Sequence, residues 1–264
     1  MDLQNKNIVI IGGTSGIGLA AAEGFVASGA GLVVVGLDEE SCEVAQDILG
    51  NQAVVLQGDA VDEKTAAYAI EQCNQHFGQL TGLYHVAGSS GRKYGDGPLH
   101  EMSIEGWNKT FEVNLTSLML SNRAALRAFL ASDTVGSILN LTSVLASSPA
   151  PHYFTTHGYA AAKSAVIGLT KSTAAHYAKY GIRINGLAPG LVDSPMAQRA
   201  AQNRDIMAYI KTKQPLDGGR IGSPTDLVGA ALYFMSDYSQ FTTGQILSVD
   251  GGWSTQEGQI ISNE

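Results

Sequence analysis

Tyr159 and Lys163 stand four residues apart in "THGYAAAKSA", residues 156–165, a run of small helix-forming residues. On an α-helix, positions i and i+4 share one face about a turn apart, so a phenol and an ammonium project side by side. A phenol with its ordinary pKa near ~10 is a poor base at neutral pH. A neighbouring cation favours the phenolate, and a shift of ~2–3 units amounts to roughly 3–4 kcal/mol between the two protonation states. Such a pair suits proton transfer to or from a substrate oxygen. The spacing also fits a helix that buries the tyrosine and solvates the lysine, so its meaning depends on the rest of the chain.

A second constellation lies near the amino terminus. In "IGGTSGIG", residues 11–18, Gly12, Gly16 and Gly18 follow a short apolar run and open a helical segment. Glycines there permit a tight turn, let a pyrophosphate approach the backbone and let the helix pack close to a sheet, while the helix amino terminus favours phosphate charge. Asp38 ends "GLVVVGLD". It falls about 20 residues after the turn, where dinucleotide sites place a carboxylate that bonds the adenosine ribose and repels a 2′-phosphate. No Lys or Arg occurs between Lys6 and Lys64, which favours NAD over NADP. The competing reading makes Asp38 the cap of a helix starting at Glu39.

These residues need elements to hold them. Apolar runs "NIVII", "GLVVVG", "QAVVLQ", "GLYHVA", "GSILNLTS", "IRINGLA" and "QILSVD" alternate with helical segments, among them "GWNKTFEVNLTSLMLSNRAALRAFLA" and "GYAAAKSAVIGLTKSTAAHYAKYG". That alternation predicts an α/β fold: a doubly wound parallel sheet of the Rossmann type, about seven strands with helices on both faces. No linker or repeat divides it, so residues 1–264 are expected to form a single dinucleotide-binding domain. The irregular stretches at about 88–103, 144–157 and 189–222 are expected to select the substrate, because loops after parallel strands build the ligand crevice.

Composition narrows the class. Hydrophobic residues make up 44% and charged residues 15% of the chain, which argues against disorder. The net charge of -8, without a basic block, argues against a nucleic-acid partner. Neither a signal-like start nor a membrane-length apolar run is present, so a cytoplasmic location and no membrane partner are expected. Cys42 and Cys73 lack metal-ligand or Cys-x-x-Cys spacing and read as reduced packing thiols. No metal site is expected.

Taken together, "GGTSGIG", "SILNLTS" and "YAAAK", with "VAG" at 86–88, "VNLTS" at 113–117, "RINGLAPGLVDSPM" at 183–196 and "TGQILSVDGGW" at 243–253, resemble the short-chain dehydrogenase/reductase family in its compact single-domain branch. The resemblance spans nearly the whole chain. It implies a catalytic tetrad of Asn114, Ser143, Tyr159 and Lys163. It also implies cofactor contacts by Gly12, Thr14, Ser15, Gly16, Ile17 and Gly18 of the turn, by Asp38, by Asp59 and Ala60 near the adenine, by Ala87 and Gly88, by Tyr159 and Lys163, and by Pro189, Gly190 and Val192 beside the nicotinamide. A homotetramer is implied too, with the helix around 159–180 and the carboxyl-terminal strand and tail at interfaces.

The chain departs from the family pattern in three places. His85 stands where a sheet-bracing asparagine is usual, and Leu37 where the acidic ribose contact often falls. Ser143 and Tyr159 are 16 apart, a few more than usual, with Ser147 and Ser148 as rival serines.

The expected activity is NAD-dependent interconversion of a secondary alcohol and a ketone on a small molecule such as a sugar, steroid or hydroxy acid. Alternatives are an NADPH-dependent reductase of the β-ketoacyl carrier-protein type and a non-catalytic NAD-binding regulator. Arg92 and Lys93 are candidates to meet a substrate carboxylate, against the reading of a solvated loop. His152, Tyr153, Phe154 and His157 are candidates to line the pocket, and Met196 and Met207 to form a lid. Trp107 and Trp253 read as core or interface residues.

Overall fold

The computed structural model describes residues 1–260; residues 261–264, part of the tail assigned above to an interface, lie outside the described residues. Seven strands form: β1 (Asn7–Ile11), β2 (Gly31–Gly36), β3 (Ala53–Gln57), β4 (Gly82–His85), β5 (Ser137–Leu141), β6 (Arg183–Pro189) and β7 (Ile246–Val249). They build one sheet in the order β3-β2-β1-β4-β5-β6-β7, every neighbouring pair parallel. The helices are α1 (Gly16–Ala27), α2 (Glu39–Leu49), α3 (Glu63–His76), α4 (Ile104–Phe111), α5 (Ser117–Ser132), α6 (His157–Tyr177), α7 (Gln198–Ala201), α8 (Arg204–Lys213) and α9 (Val228–Met235). This is the doubly wound α/β architecture that the alternation of runs predicts.

The period of two along each strand decides which layer it meets. Ile8, Ile10, Leu32, Val34, Tyr84 and Leu139 pack on one face against Phe25 of α1 and Phe234 and Met235 of α9. Val9, Ile11, Val33, Val35, Leu83 and Ile138 pack on the other against Ile70 of α3, Phe129 of α5 and Ala174 of α6. Each such side chain contributes about 1.5–3 kcal/mol when taken out of water, and a one-residue slip would exchange the two faces, so the register is firmly held.

Cys42 and Cys73 are both free and buried, and burial pushes the Cys73 thiol up to about 12, consistent with packing thiols. Among the described residues no group of three His, Cys, Asp or Glu side chains could hold a metal ion, and no helix is long and apolar enough to cross a membrane.

Two local features differ from the sequence reading. The helical run read as continuous over 106–131 begins at Ile104 behind a Ser103 cap, and it widens into a π-helical turn at Glu112–Thr116 before resuming as α5. The stretch 189–222, read as irregular, carries α7 and α8. Asn203 starts α8, accepting the N–H groups of Asp205 and Ile206, and Ile206, Tyr209 and Ile210 pack that helix against Val144 and Trp253.

The sheet order reverses direction between β1 and β4, which opens a crevice at their carboxyl ends. Gly12 stands there with φ +84°, and a Cβ on it would lie 2.6 Å from the Ala87 nitrogen. A Cβ on Gly18 would lie 2.0 Å from the Gly12 carbonyl oxygen, so only glycine lets α1 start this close to β1.

Candidate active site

The structure gathers the four tetrad candidates at the carboxyl ends of β4 and β5. Ser143 follows β5 in an extended conformation and is buried, its Oγ accepting the Leu145 N–H at 3.2 Å to cap the turn Val144–Ala146. Of the rival serines, Ser147 is exposed and Ser148 spends its carbonyl on the Trp253 indole. Tyr159 and Lys163 lie in the first turns of α6, with Lys163 Nζ 5.7 Å from the centre of the Tyr159 ring. Lys163 is 2% exposed, and its Nζ donates to the Leu141 carbonyl at 2.9 Å.

Asn114 sits fully buried inside the π-helical turn, whose extra residue turns its side chain toward the end of β4. Its amide donates to the Ser89 and Thr110 carbonyls, both at 2.9 Å, and its oxygen accepts the Ser89 N–H at 3.1 Å. A Cβ at Gly88 would lie 2.6 Å from Asn114 Oδ1 and 3.4 Å from Lys163 Nζ. Gly88 is therefore the point at which Asn114 and Lys163 meet.

The electrostatics correct one expectation. The pair was expected to hold the Tyr159 phenol below its ordinary value. Among the protein's own groups, burial instead pushes the phenol up to about 12, the Ser143 side chain pulling the other way. Burial likewise pulls Lys163 down to about 8. Desolvation is the leading cause for both groups, so burial favours the neutral form of the phenol and of the amine.

His85 fills the place of the missing asparagine. It is fully buried, its Nδ1 2.8 Å from Ser121 Oγ and its Nε2 3.4 Å from Ser117 Oγ, so the imidazole pins α5 to the sheet edge of the site. Burial, then the Lys163 charge, pulls it down to about 3, leaving it neutral.

The residues at the sheet switch fit a dinucleotide. Helix α1 begins at Gly16 after Ser15, whose side chain caps nothing, and its first turn holds no acidic residue. Its amides thus face the crevice with the polarity that a phosphate needs. Thr14 is buried, its hydroxyl 3.0 Å from that of Ser41, and Ile17 packs against the core. Asp38 caps α2, accepting the Ser41 N–H at 2.9 Å and the Ser41 hydroxyl at 2.6 Å, so the capping reading is realised. Leu37 beside it is exposed. Asp59 and Ala60 form the turn after β3, Asp59 accepting the Val61 N–H. Ala87 abuts Gly12, and the buried Ser89 hydroxyl beyond Gly88 has no partner. Pro189 ends β6, Gly190 lies against the Gln214 side chain and Val192 bridges to Gly222. These segments lie at the carboxyl ends of their strands, on the edge that holds the tetrad candidates.

The three loops pack on this edge. Phe154 and Tyr153 of the 144–157 loop meet Trp253 and Tyr209. His152 is exposed, whereas His157 Nδ1 accepts the Leu99 N–H at 3.1 Å and ties two loops together. Met196 is exposed, and a Cβ at Gly16 would lie 3.2 Å from Ser194 Cβ, which places the start of the 189–222 stretch over the glycine turn. Trp253 is core, while Trp107 is half-buried against Phe111.

Sequence reasoning missed Asp96. It is buried, and its two carboxylate oxygens accept the N–H groups of Gly158 and Tyr159. The signal for it was thin: an acidic residue between two glycines, far from α6 in the chain.

Comparison with known proteins identifies the family. A family model described as enoyl-(acyl carrier protein) reductase matches residues 12–254. A 2,5-dichloro-2,5-cyclohexadiene-1,4-diol dehydrogenase of Sphingobium indicum is 36% identical over 255 residues, covering 96% of this chain and 98% of that one. A cis-4-hydroxycyclohexanecarboxylate dehydrogenase of Sinomonas cyclohexanicum is 34% identical over 248 residues, covering 93% and 95%. The solved structure of a short-chain type dehydrogenase/reductase from Mycobacterium ulcerans superposes with a TM-score of 0.89 at 28% identity, covering 98% of this chain and 93% of that one. With relatives named as dehydrogenases along nearly their full length, the activity class is oxidoreduction at CH–OH groups. By its sheet order, its glycine turn and these likenesses, the chain belongs to the short-chain dehydrogenase/reductase family.

Proposed function

We propose that the protein is an NAD-dependent dehydrogenase that interconverts a secondary alcohol and a ketone on a small molecule, with Tyr159 as the acid/base group. The observation that supports it is a chain of contacts on the same sheet edge as the glycine turn: Asn114 and Lys163 meet at Gly88, Lys163 Nζ lies 5.7 Å from the centre of the Tyr159 ring, and the Ser143 side chain bonds the Tyr159 phenol.

A nicotinamide dinucleotide held at the glycine turn would supply the hydride acceptor or donor. Its pyrophosphate is assigned to the amides from Gly12 to Gly18, its adenosine ribose to Asp38, its adenine side to Asp59 and Ala60, and its nicotinamide side to Ala87, Gly88, Pro189, Gly190 and Val192. The absence of Lys and Arg between Lys6 and Lys64 supports NAD over NADP.

In the reductive direction the protonated Tyr159 phenol donates its proton to the ketone oxygen as hydride reaches the carbonyl carbon. In the oxidative direction the alcohol proton passes to the Tyr159 oxygen. Lys163, titrating near 8, is the group that exchanges a proton close to neutrality. Ser143 donates a hydrogen bond to the substrate oxygen, and Asn114 orders a water chain that carries the proton onward.

The relatives' names make ring alcohols a first panel, so cyclohexanols and cyclohexanones join sugars, steroids and hydroxy acids as trial substrates. Purified protein should change absorbance at 340 nm with NAD or NADH on members of that panel. Cofactor binding without turnover on any of them would point instead to a non-catalytic role. The exposed Phe241 and Leu247 support an interface along the β7 edge of a homotetramer, which light scattering tests. A cytoplasmic location is part of the same reading.

A further inference from the structure

Three loops meet at one atom. The Tyr153 carbonyl oxygen, in the 144–157 loop, accepts Arg92 Nη2 of the 88–103 loop at 3.4 Å and Arg199 Nη2 of α7 at 3.3 Å. Two guanidinium groups from opposite loops are thereby drawn to a single neutral acceptor. Each has five N–H donors, and this is the one hydrogen bond each makes among the described residues.

Among the described residues neither guanidinium forms an ion pair with a carboxylate. The ion pairs of Arg among the described residues belong to Arg123 and Arg220. Asp96, four residues beyond Arg92, has both oxygens committed to the N–H groups of Gly158 and Tyr159. Lys93 adds a further cation, its Nζ 4.9 Å from the centre of the Tyr94 ring. Burial, then the charge of Arg199, destabilises the Arg92 cation, with Asp96 opposing only as the smallest influence.

The place of this pair is the substrate side of the site. Tyr153 packs on Tyr209 in the apolar cluster that includes Val144, the residue after Ser143. Arg92 follows Gly91, whose carbonyl accepts the Asp96 N–H, so one short turn joins the guanidinium to the carboxylate that holds the Tyr159 amide. Two like charges kept together with free, fork-shaped donors are stabilised by an oxyanion placed between them.

We propose that Arg92 and Arg199 form a clamp for an oxyanionic substituent, of the carboxylate kind, on the substrate alcohol or ketone. This rests on the dehydrogenase reading above and narrows its substrate class to anionic hydroxy compounds.

The test compares cis-4-hydroxycyclohexanecarboxylate with its methyl ester, which share the reacting carbon and differ in charge. The wild type is expected to prefer the acid in kcat/KM by about tenfold or more, and Arg92→Gln and Arg199→Gln each to lower the acid-to-ester ratio by about tenfold. Arg199→Lys, which keeps the charge, should retain most of the preference. Turnover of both compounds without preference overturns the clamp and leaves the dehydrogenase reading standing. If neither compound is turned over, calorimetric titration with cyclohexanecarboxylate decides: binding by the wild type that the double Arg→Gln variant loses supports the clamp, and no binding, or equal binding by both, overturns it.

Discussion

Asp96 Oδ1 accepts the Gly158 N–H at 2.9 Å and Asp96 Oδ2 accepts the Tyr159 N–H at 2.8 Å. Thr156, at the cap position of α6, contributes no side-chain bond, so the first-turn amides of this helix find their acceptor in another loop. A carboxylate there also meets the positive end of the helix dipole. The position of the Tyr159 backbone is thus fixed by a residue that need not touch substrate.

Replacing Asp96 with Ala leaves two amides at the start of α6 without their acceptor, and a charge-assisted bond of this kind contributes about 1.5–3 kcal/mol. Urea midpoints should fall accordingly, and kcat should drop about tenfold through misplacement of the phenol, with the KM for NAD nearly unchanged. Asp96→Asn retains one acceptor oxygen and should recover part of the loss. Equal kcat for wild type and Asp96→Ala would remove Asp96 from any positioning role.

Tyr159→Phe removes the hydroxyl and keeps the ring beside Lys163. If the phenol is the acid/base group, kcat should fall by about 10²–10⁴, the usual scale of general acid–base catalysis. Affinity for NADH, followed by fluorescence titration, should stay within a few fold. A loss of kcat below about tenfold would move the proton-transfer role to another residue.

The buried Lys163 leaves a signature in stability. Its folded pKa, about 8, lies below the ordinary 10.5, so between those values the unfolded chain holds more protons than the folded one. Stability from this group therefore rises with pH across that window and is flat below it. The full change is on the order of 3 kcal/mol, though the raised Cys73 thiol opposes it above about pH 9 and the raised tyrosines above about pH 10 in wild type and variant alike. Urea unfolding from pH 8 to 9.5 should show the wild type gaining stability relative to Lys163→Met. Parallel curves for the two would place the ammonium in a better solvated site.

Much of this was legible in the sequence because the signals were local. The β-branched runs marked all seven strands to within a residue or two at each end, since strands buried on both faces, as in the middle of this sheet, are largely apolar. Tyr159 and Lys163 were readable from helix periodicity, and Gly12, Gly16 and Gly18 from their spacing between the first apolar run and the helical segment after it. The rest was non-local. The widened turn around Asn114 arises from its bonds to Ser89, Asp96 acts on an amide in another element, and Arg92 and Arg199 meet at Tyr153 only once three loops are in place. The direction of the Tyr159 shift was misjudged for a related reason: helix spacing reveals the neighbouring charge but not the burial, and burial dominates.

Asp38 carries two readings that one pair of substitutions separates. Its carboxylate caps α2 through Ser41, whose hydroxyl, followed by its N–H, holds it below the usual carboxylate range. A carboxylate offers about four acceptor sites, so two bonds to Ser41 leave room for a ribose diol. Asp38→Asn keeps an oxygen for the cap and removes the charge, whereas Asp38→Ala removes both. If the charge repels a 2′-phosphate, the ratio of kcat/KM with NADP to that with NAD should rise at least about tenfold in both variants, because the like charge is then gone. If Asp38 only caps the helix, the ratio stays put, and only Asp38→Ala loses thermal stability.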